Sequence, residues 1–150
     1  MSDSDNKEMN SRKLHVEIVT PYELFYEGDV EQLILPAIDG EIGIRPGHSP
    51  VIIALNPGEL RMTEKSGKEL FISISDGYAE VEVDNAIVVI GSAEWPGQID
   101  LERVRFAMER ANQRIADPKS TAREIERSKK GILRANARIK VAGRIEKSGK

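Results

Sequence analysis

The sequence predicts an α+β protein built by segments: a run of short strands closing as a sandwich or barrel, then an antiparallel hairpin of two helices. Three observations lead there. Apolar residues alternate with a period of two as far as Ser92, and beyond Trp95-Pro96-Gly97 they recur at steps of three and four. In the first part, turn signals break the chain about every 8–12 residues, the spacing of sandwiches and barrels. The charge splits at nearly the same point. Residues 1–100 hold 7 Lys and Arg against 19 Asp and Glu, a net −12, while residues 101–150 hold 15 against 6, a net +9. The overall −3 therefore joins an acidic two-thirds to a basic third, and such asymmetry implies a charged partner for at least one part.

The strands follow in order. Leu14, Val16 and Ile18 alternate with His15 and Glu17, giving a half-buried strand that stops at Thr20-Pro21, with His15 facing solvent. Residues 30–35 make another strand, ended by Pro36. From Asp39 to Pro50 the chain is rich in glycine and proline. Glycine opens positive φ and proline fixes φ at about −65°, so a tightly folded excursion is expected there rather than regular strand. Residues 51–55 resume a buried strand and Asn56-Pro57-Gly58 turns the chain. Two hairpins follow: residues 60–63 and 70–75 flank Lys65-Ser66-Gly67-Lys68, and Ala79, Val81 and Val83 alternate with Glu80 and Glu82 before Asp84-Asn85 leads into residues 86–90. The carboxylates of these strands read as solvent faces.

The helical part is equally explicit. Leu101, Val104, Met108, Ala111 and Ile115 form one apolar seam, and Asp100 is placed to cap that helix. Ala116-Asp117-Pro118 breaks it. Thr121-Ala122-Arg123-Glu124 has the form of a capping box, and Ile125, Ser128, Ile132, Ala135, Ile139 and Ala142 continue a second seam. Few large residues stand in either seam, so the hairpin is expected to be a marginal element able to dock in more than one place. The chain thus divides into a disordered polar tail at 1–13, a strand domain at 14–93, a helical hairpin at 94–145 and a short tail at 146–150.

Composition excludes several functions. Without cysteine there is no disulfide, thiolate nucleophile or Cys-based metal site. His15 and His48 are too few for a His-only metal site. The longest apolar runs fall far below the roughly 18 residues of a membrane span, and the N-terminal residues lack a signal pattern, so a cytoplasmic protein is expected. No phosphate-loop or dinucleotide fingerprint occurs. Asp39, His48 and Ser49 could be drawn as a triad, but His48 sits in a Pro/Gly turn and a structural or contact role fits better. Intrinsic catalysis is not expected.

The basic charge of the second helix is ordered. At about 100° per residue, Arg123, Arg127, Lys130, Arg134 and Arg138 fall within roughly 80° of one another. Arg103, Arg110 and Arg114 share a face of the first helix. A solvated face is the plain reading, weakened by the scarcity of acidic partners at i,i+4.

Several stretches carry a family resemblance. Leu14-His15-Val16-Glu17-Ile18-Val19-Thr20-Pro21, Tyr26-Glu27-Gly28-Asp29-Val30-Glu31, Gly40-Glu41-Ile42-Gly43-Ile44-Arg45-Pro46-Gly47-His48-Ser49-Pro50, Pro57-Gly58-Glu59-Leu60-Arg61 and Ser75-Asp76-Gly77-Tyr78-Ala79-Glu80-Val81 resemble, in order and spacing, the epsilon subunits of rotary F-type ATP synthases of bacterial type. The resemblance implies a β-sandwich of two five-stranded antiparallel sheets before the two-helix hairpin. It implies a non-catalytic central-stalk subunit that binds the gamma subunit, sits on the c-subunit ring, and helps couple proton flow to ATP synthesis. It also implies a peripheral place at the cytoplasmic face of the bacterial membrane, without membrane insertion. In the family the hairpin either folds on the sandwich or extends along gamma into the alpha/beta hexamer, where it inhibits hydrolysis. The stripe Arg123, Arg127, Lys130, Arg134 and Arg138 would then meet an acidic segment of the beta subunits.

The resemblance also implies regulatory ATP binding, though no cofactor is required. Some relatives carry Ile/Leu-Asp-x-x-Arg-Ala, and here Ile99-Asp100-Leu101-Glu102-Arg103-Val104 keeps the Asp and Arg but has Val104 in place of the small alanine. Asp100, Arg103, Glu94, Arg134 and Arg138 would form the site, with guanidinium groups on phosphate oxygens. Asp100 is equally explained as a cap. For the c-ring or gamma contact the expectation is Glu41 with Arg45 and His48, against the alternative of an exposed turn carboxylate without a partner. Asp76 stands where the family usually has glycine, which predicts a different turn, and Trp95-Pro96-Gly97 makes an unusual linker. The rival reading, a basic hairpin for nucleic acid, leaves the acidic strand domain unexplained, and no aromatic stacking series runs beyond Phe106.

Overall fold

The computed structural model describes residues 12–144; the expected tails at 1–13 and 146–150 lie outside them, apart from Arg12 and Lys13. Ten strands come first: β1 Leu14–Val19, β2 Leu24–Val30, β3 Gln32–Ala37, β4 Gly40–Ile44, β5 Val51–Leu55, β6 Gly58–Thr63, β7 Glu69–Ile74, β8 Gly77–Val81, β9 Asn85–Ile90 and β10 Ala93–Glu94. A 3₁₀ turn at Pro96–Gln98 leads to helices α1 Leu101–Ala116 and α2 Ala122–Ala142.

The strands pair in the order β10-β7-β6-β3-β5-β8-β9-β1-β2, with β4 on β3. β3 is the corner of the sandwich: Gln32, Leu33 and Ile34 pair with β6, whereas Ala37 pairs with Leu55 of β5. Counting β3 and its partner β4 with β6, β7 and β10, five strands stand against the five of β5, β8, β9, β1 and β2, as expected. The ladders run antiparallel except β1 with β9, which pair in parallel from His15↔Asn85 to Val19↔Val89. Parallel neighbours need a long crossover, and β2 to β8 supply it.

Period-two alternation sends one face of every long strand inward. Leu14, Val16 and Ile18 of β1, Leu33 and Leu35 of β3, Leu60 and Met62 of β6, Leu70, Ile72 and Ile74 of β7, and Ala86, Val88 and Ile90 of β9 share one core. β7 is unusual in burying Phe71 and Ser73 of its outer face as well, because α2 lies across it.

The structure corrects several sequence expectations. Residues 40–44 are regular strand, paired with β3 from Ala37↔Gly40 to Leu33↔Ile44. A two-residue turn at Ile38-Asp39 makes this possible, with Gly40 at φ 121° on its far side, a conformation L side chains rarely adopt. Pro36 lies inside β3 rather than ending it. It stands where β3 changes partner from β6 to β5, and its carbonyl accepts from the Asn56 N–H at 2.9 Å. The strand expected at 30–35 is interrupted: β2 ends at Val30 and β3 begins at Gln32, with the Glu31 N–H turned to the Thr63 carbonyl at 2.8 Å. Asp76 makes no strained turn, since positive φ outside glycine does not occur among the described residues.

His15 does face outward, but between carboxylates: Nδ1 lies 2.8 Å from Asp29 and Nε2 lies 3.0 Å from Glu27. Hydrogen bonds to Asp29 and then Glu27 raise its pKa above the ordinary histidine value. Trp95, in the linker, stacks on Phe25 with ring centroids 5.1 Å apart and meets Tyr26 edge-on at 6.3 Å. These rings bring the two ends of the strand path, β10 and β2, together and cover edges that would otherwise recruit other strands.

Capping holds the helices as the sequence requires. The Asp100 carboxylate accepts from the Glu102 and Arg103 N–H groups at 3.1 and 3.3 Å, and the Thr121 hydroxyl accepts from the Glu124 N–H at 3.1 Å. In α2 the expected single seam divides. Ser128 and Ala135 are buried on one side, while Ala137 and Val141 are buried about 180–220° away, and Ile139 is left exposed. A helix pressed between α1 on one face and the sandwich on the other needs two stripes. Both are built from small residues, so the packing is thin.

Gly77 tests the β8–β9 junction. A Cβ there would lie 2.0 Å from the Val89 carbonyl oxygen, so Gly77→Ala should cost about 2–3 kcal/mol in urea unfolding. Gly43→Ala, whose nearest neighbour would be Gln32 Nε2 at 3.4 Å, should change stability by less than about 1 kcal/mol. Equal effects would contradict this packing.

Candidate functional site

A cleft of about 490 Å³ opens where α1, α2 and the β10 edge of the sandwich meet. Arg110 and Arg114 reach it from α1, Arg127, Arg134 and Arg138 from α2, and Glu94 from β10. The helix spacing accounts for this. Residues at i, i+4 share a face, and an antiparallel partner brings the two arginine faces to one trough. Small residues at Ala107, Ala111, Ser128, Gly131 and Ala135 form its floor, which lets the guanidinium groups approach it from both sides.

Glu94 offsets one of these five cations. Its carboxylate lies 2.6 Å from Arg138 Nε, too far off axis for a hydrogen bond, and accepts from Arg138 Nη2 at 3.2 Å. Four guanidinium groups remain for a ligand. Planar, always charged donors in a shared trough suit the oxygens of a phosphate chain.

The expected nucleotide residues divide. Glu94, Arg134 and Arg138 stand together at the cleft. Asp100 and Arg103 stand at the first turn of α1, outside its lining; Asp100 is committed to capping, and Arg103 borders a separate surface hollow with Phe106 and Arg110. Arg110 reaches both places, its guanidinium 4.9 Å from the centre of the Phe106 ring. Val104 is wholly buried and does not line the cleft. Arg110 and Arg114 were legible only as charges on one face; their role depends on the helix opposite.

The basic stripe of α2 is turned toward the sandwich. On the helical wheel it lies beside Ala137 and Val141, the stripe that faces the sheet. Lys130 Nζ accordingly lies 3.3 Å from Asp76, Arg138 meets Glu94, and Arg127 and Arg134 line the cleft, while Arg123 is exposed.

A third contact was not visible in the sequence. Glu59, on the outer face of β6, keeps 3 % of its side-chain surface exposed. Arg144 Nε lies 3.3 Å and Lys140 Nζ 3.6 Å from its carboxylate, with Arg61 Nε at 3.8 Å. The Arg144 guanidinium also rests 4.7 Å above the Phe71 ring. A carboxylate so far from water is tolerated only with charge around it, and two of its three cations come from the end of α2. Strand alternation places Glu59 outward; no local signal shows that a helix covers that face.

Of the expected ring-contact residues, Glu41 is a strand residue with an ion pair to Arg61, not an unpartnered turn carboxylate. Arg45 is exposed in the following turn, and His48 Nδ1 lies 2.7 Å from the Ser49 carbonyl.

A sandwich carrying a basic helical hairpin, with an arginine-lined cleft at their junction, is the architecture of a binding and docking protein. Comparison with known proteins agrees. Residues 13–96 match the family "ATP synthase, Delta/Epsilon chain, beta-sandwich domain", and residues 98–143 match "ATP synthase, Delta/Epsilon chain, long alpha-helix domain". The chain belongs to the ATP synthase delta/epsilon family. It is 38% identical over 131 residues to the ATP synthase epsilon chain of Halalkalibacterium halodurans, covering 87% of this chain and 98% of that one. It is 40% identical over 126 residues to the epsilon chain of Clostridium kluyveri, covering 84% and 94%. In fold it resembles a chain of the Euglena gracilis mitochondrial ATP synthase structure (OSCP/F1/c-ring), with TM-score 0.76 at 20% identity over 87% of this chain and 81% of that one.

Removing the buried charge tests the docking. Glu59→Gln should lower stability by about 1–2 kcal/mol, a modest cost because Lys140 and Arg144 are partly solvated. Hydrogen exchange should accelerate in the last two turns of α2 and stay unchanged in β1 and β9. Uniform acceleration would show that Glu59 serves the sandwich alone.

Proposed function

We propose that this chain is the epsilon subunit of a bacterial F-type ATP synthase, a non-catalytic subunit of the central stalk that helps couple rotation of gamma and the c-ring to ATP synthesis and restrains ATP hydrolysis through its helices. One observation carries the regulatory part: the hairpin docks on the sandwich through thin apolar stripes and a few ion pairs, of which Lys130–Asp76 is half-exposed and the Arg138–Glu94 and Glu59 pairs regain their solvation when the hairpin lifts. Such a contact is inexpensive to exchange, and a partner with a small differential affinity is enough to shift it. The basic stripe that meets Asp76 and Glu94 in the docked form would be released for the acidic segment of the beta subunits in the extended form.

Partner surfaces follow from the same frame. Across the outer face of the second layer, Tyr78, Val89, Val19 and Leu24 form one cross-strand row, with Ile52 and Ile87 nearby and exposed. A contiguous apolar row on a water-facing sheet suits a protein partner, here gamma. Glu41, Arg45 and His48 stand at the β4 end and suit the c-ring. The complex would sit at the cytoplasmic face of the bacterial membrane with this chain peripheral; among its described residues no helix is long and apolar enough to cross a membrane. The nucleic-acid reading loses ground because Lys130 and Arg138 are occupied by carboxylates of the sandwich.

ATP is the regulatory ligand proposed for the cleft. The cleft needs both helices and β10 together, so a nucleotide bound there would favour the docked hairpin, by about 2.7 kcal/mol at a hundredfold excess over Kd. Titration of the full chain with ATP should give a saturable site, and Arg114→Ala and Arg134→Ala should each weaken it about tenfold. Arg103→Ala should matter much less; the reverse order would move the site to the first turn of α1.

Inhibition is tested in the reconstituted complex. Replacing Arg123, Arg127, Lys130, Arg134 and Arg138 with alanine should raise its ATP hydrolysis. Hydrolysis unchanged from the parent complex would remove the stripe from the mechanism.

A further inference from the structure

The outer face of the β1–β2 ladder carries a side-chain constellation that neither the docking of the hairpin nor the cleft uses. His15 and Glu17 project from β1, and Glu27 and Asp29 from β2, all on one side of the sheet because side chains alternate with a period of two. The register sets His15 directly opposite Asp29 and Glu17 directly opposite Glu27. Two carboxylates facing each other across a ladder repel, a destabilising choice unless positive charge stands between them. Among the described residues no lysine or arginine forms an ion pair with Glu17, Glu27 or Asp29, and the one cation within reach of them is His15 itself when its ring is protonated, a place that a metal ion would take over. The flanking positions on β9 are Asn85 and Ile87, which supply no charge either.

We propose that His15, Glu17 and Glu27 form a binding site for one divalent transition-metal cation of the zinc type, with Asp29 orienting the imidazole. Three features support it. The ligand atoms of His15, Glu17 and Glu27 all lie within 4.8 Å of one another. His15 Nε2 is 3.0 Å from a Glu27 oxygen and 3.9 Å from a Glu17 oxygen. A tetrahedral zinc site with bonds of about 2.1 Å holds its ligand atoms about 3.4 Å apart, midway between these values, so small side-chain rotations close the site. Second, His15 Nδ1 is 2.8 Å from Asp29 Oδ1. A metal-binding histidine characteristically donates its other ring N–H to a carboxylate, and with Nδ1–H held by Asp29 a cation between Glu17 and Glu27 would displace the Nε2 proton and take its lone pair. Third, the side chains are 35–46 % exposed, which leaves the fourth position to water and the site open to the medium.

The cation would act as a staple. β2 is the last strand of its layer, held only by β1, and the register slips between Ile18 and Val19, next to the site. Ligands from both strands, on either side of the ladder, would fix β2 against β1 and neutralise the Glu17–Glu27 pair.

Zinc chloride titrated into the full chain at neutral pH, followed by the imidazole resonances of its two histidines, tests the proposal. His15 signals should shift and saturate at one equivalent while those of His48 stay in place, and the melting temperature should rise by several degrees. His15→Gln should abolish the saturable event, and Asp29→Asn should weaken it about tenfold without removing it. Parallel, unsaturated shifts of His15 and His48, equal zinc binding by His15→Gln, or an equal response to magnesium would each overturn it. The wild-type titration decides the matter even if a variant fails to fold.

Discussion

The Glu59 carboxylate sits on the outer face of β6, almost wholly out of water, and must be surrounded by positive charge to stay there. Arg61, its neighbour on the same strand, is not enough, because Arg61 also serves Glu41. The remaining cations are Lys140, in the last turn of α2, and Arg144, just past its C-terminus. Once that end is fixed, Ala137 and Val141 are pressed to the sheet and Phe71 is covered. The opposite face of α2 is then turned to receive α1. The placement of both helices follows from one outward-facing strand and the charge it carries.

The cleft is a product of that placement and exists in no single element. Its arginines come from two helices, its carboxylate from a two-residue strand, and its floor from side chains small enough to leave space. Lifting α2 away would separate Arg127, Arg134 and Arg138 from Glu94 and return them to water. Cleft and free basic stripe are therefore alternative uses of the same guanidinium groups. A hairpin packed with alanine, serine and valine, rather than leucine and isoleucine, keeps the two uses close in energy.

Much of this was legible in the residues. Period two and period 3.6 locate the sandwich and the hairpin, and Asp100 and Thr121 mark the helix starts to the residue. The failures have physical causes. Glycine and proline between Asp39 and Pro50 hide β4, because a tight turn and a strand partner compensate for poor intrinsic preference. Pro36 reads as a terminator, yet β3 tolerates it where one pairing partner gives way to another. The second buried stripe of α2 is masked by its cations, since Lys130, Arg138 and Arg144 look solvated until the carboxylates Asp76, Glu94 and Glu59 are seen opposite. Three of the five nucleotide residues expected from the family resemblance, Glu94, Arg134 and Arg138, converge; Asp100 and Arg103 do not, because the first turn of α1 already employs Asp100.

Trp95 gives the molecule a further property. It is the sole tryptophan of the chain, and it is stacked on Phe25 at the joint between sandwich and hairpin. Its indole emission is thus a native optical probe of one place, with no label required. A hairpin that swings from Pro96-Gly97 while the ring stays seated would leave that emission unchanged, whereas a hairpin that peels the linker away would expose the indole and shift it to longer wavelength. The aromatic stack that covers the sandwich edges also lets these two ways of opening be told apart in a cuvette.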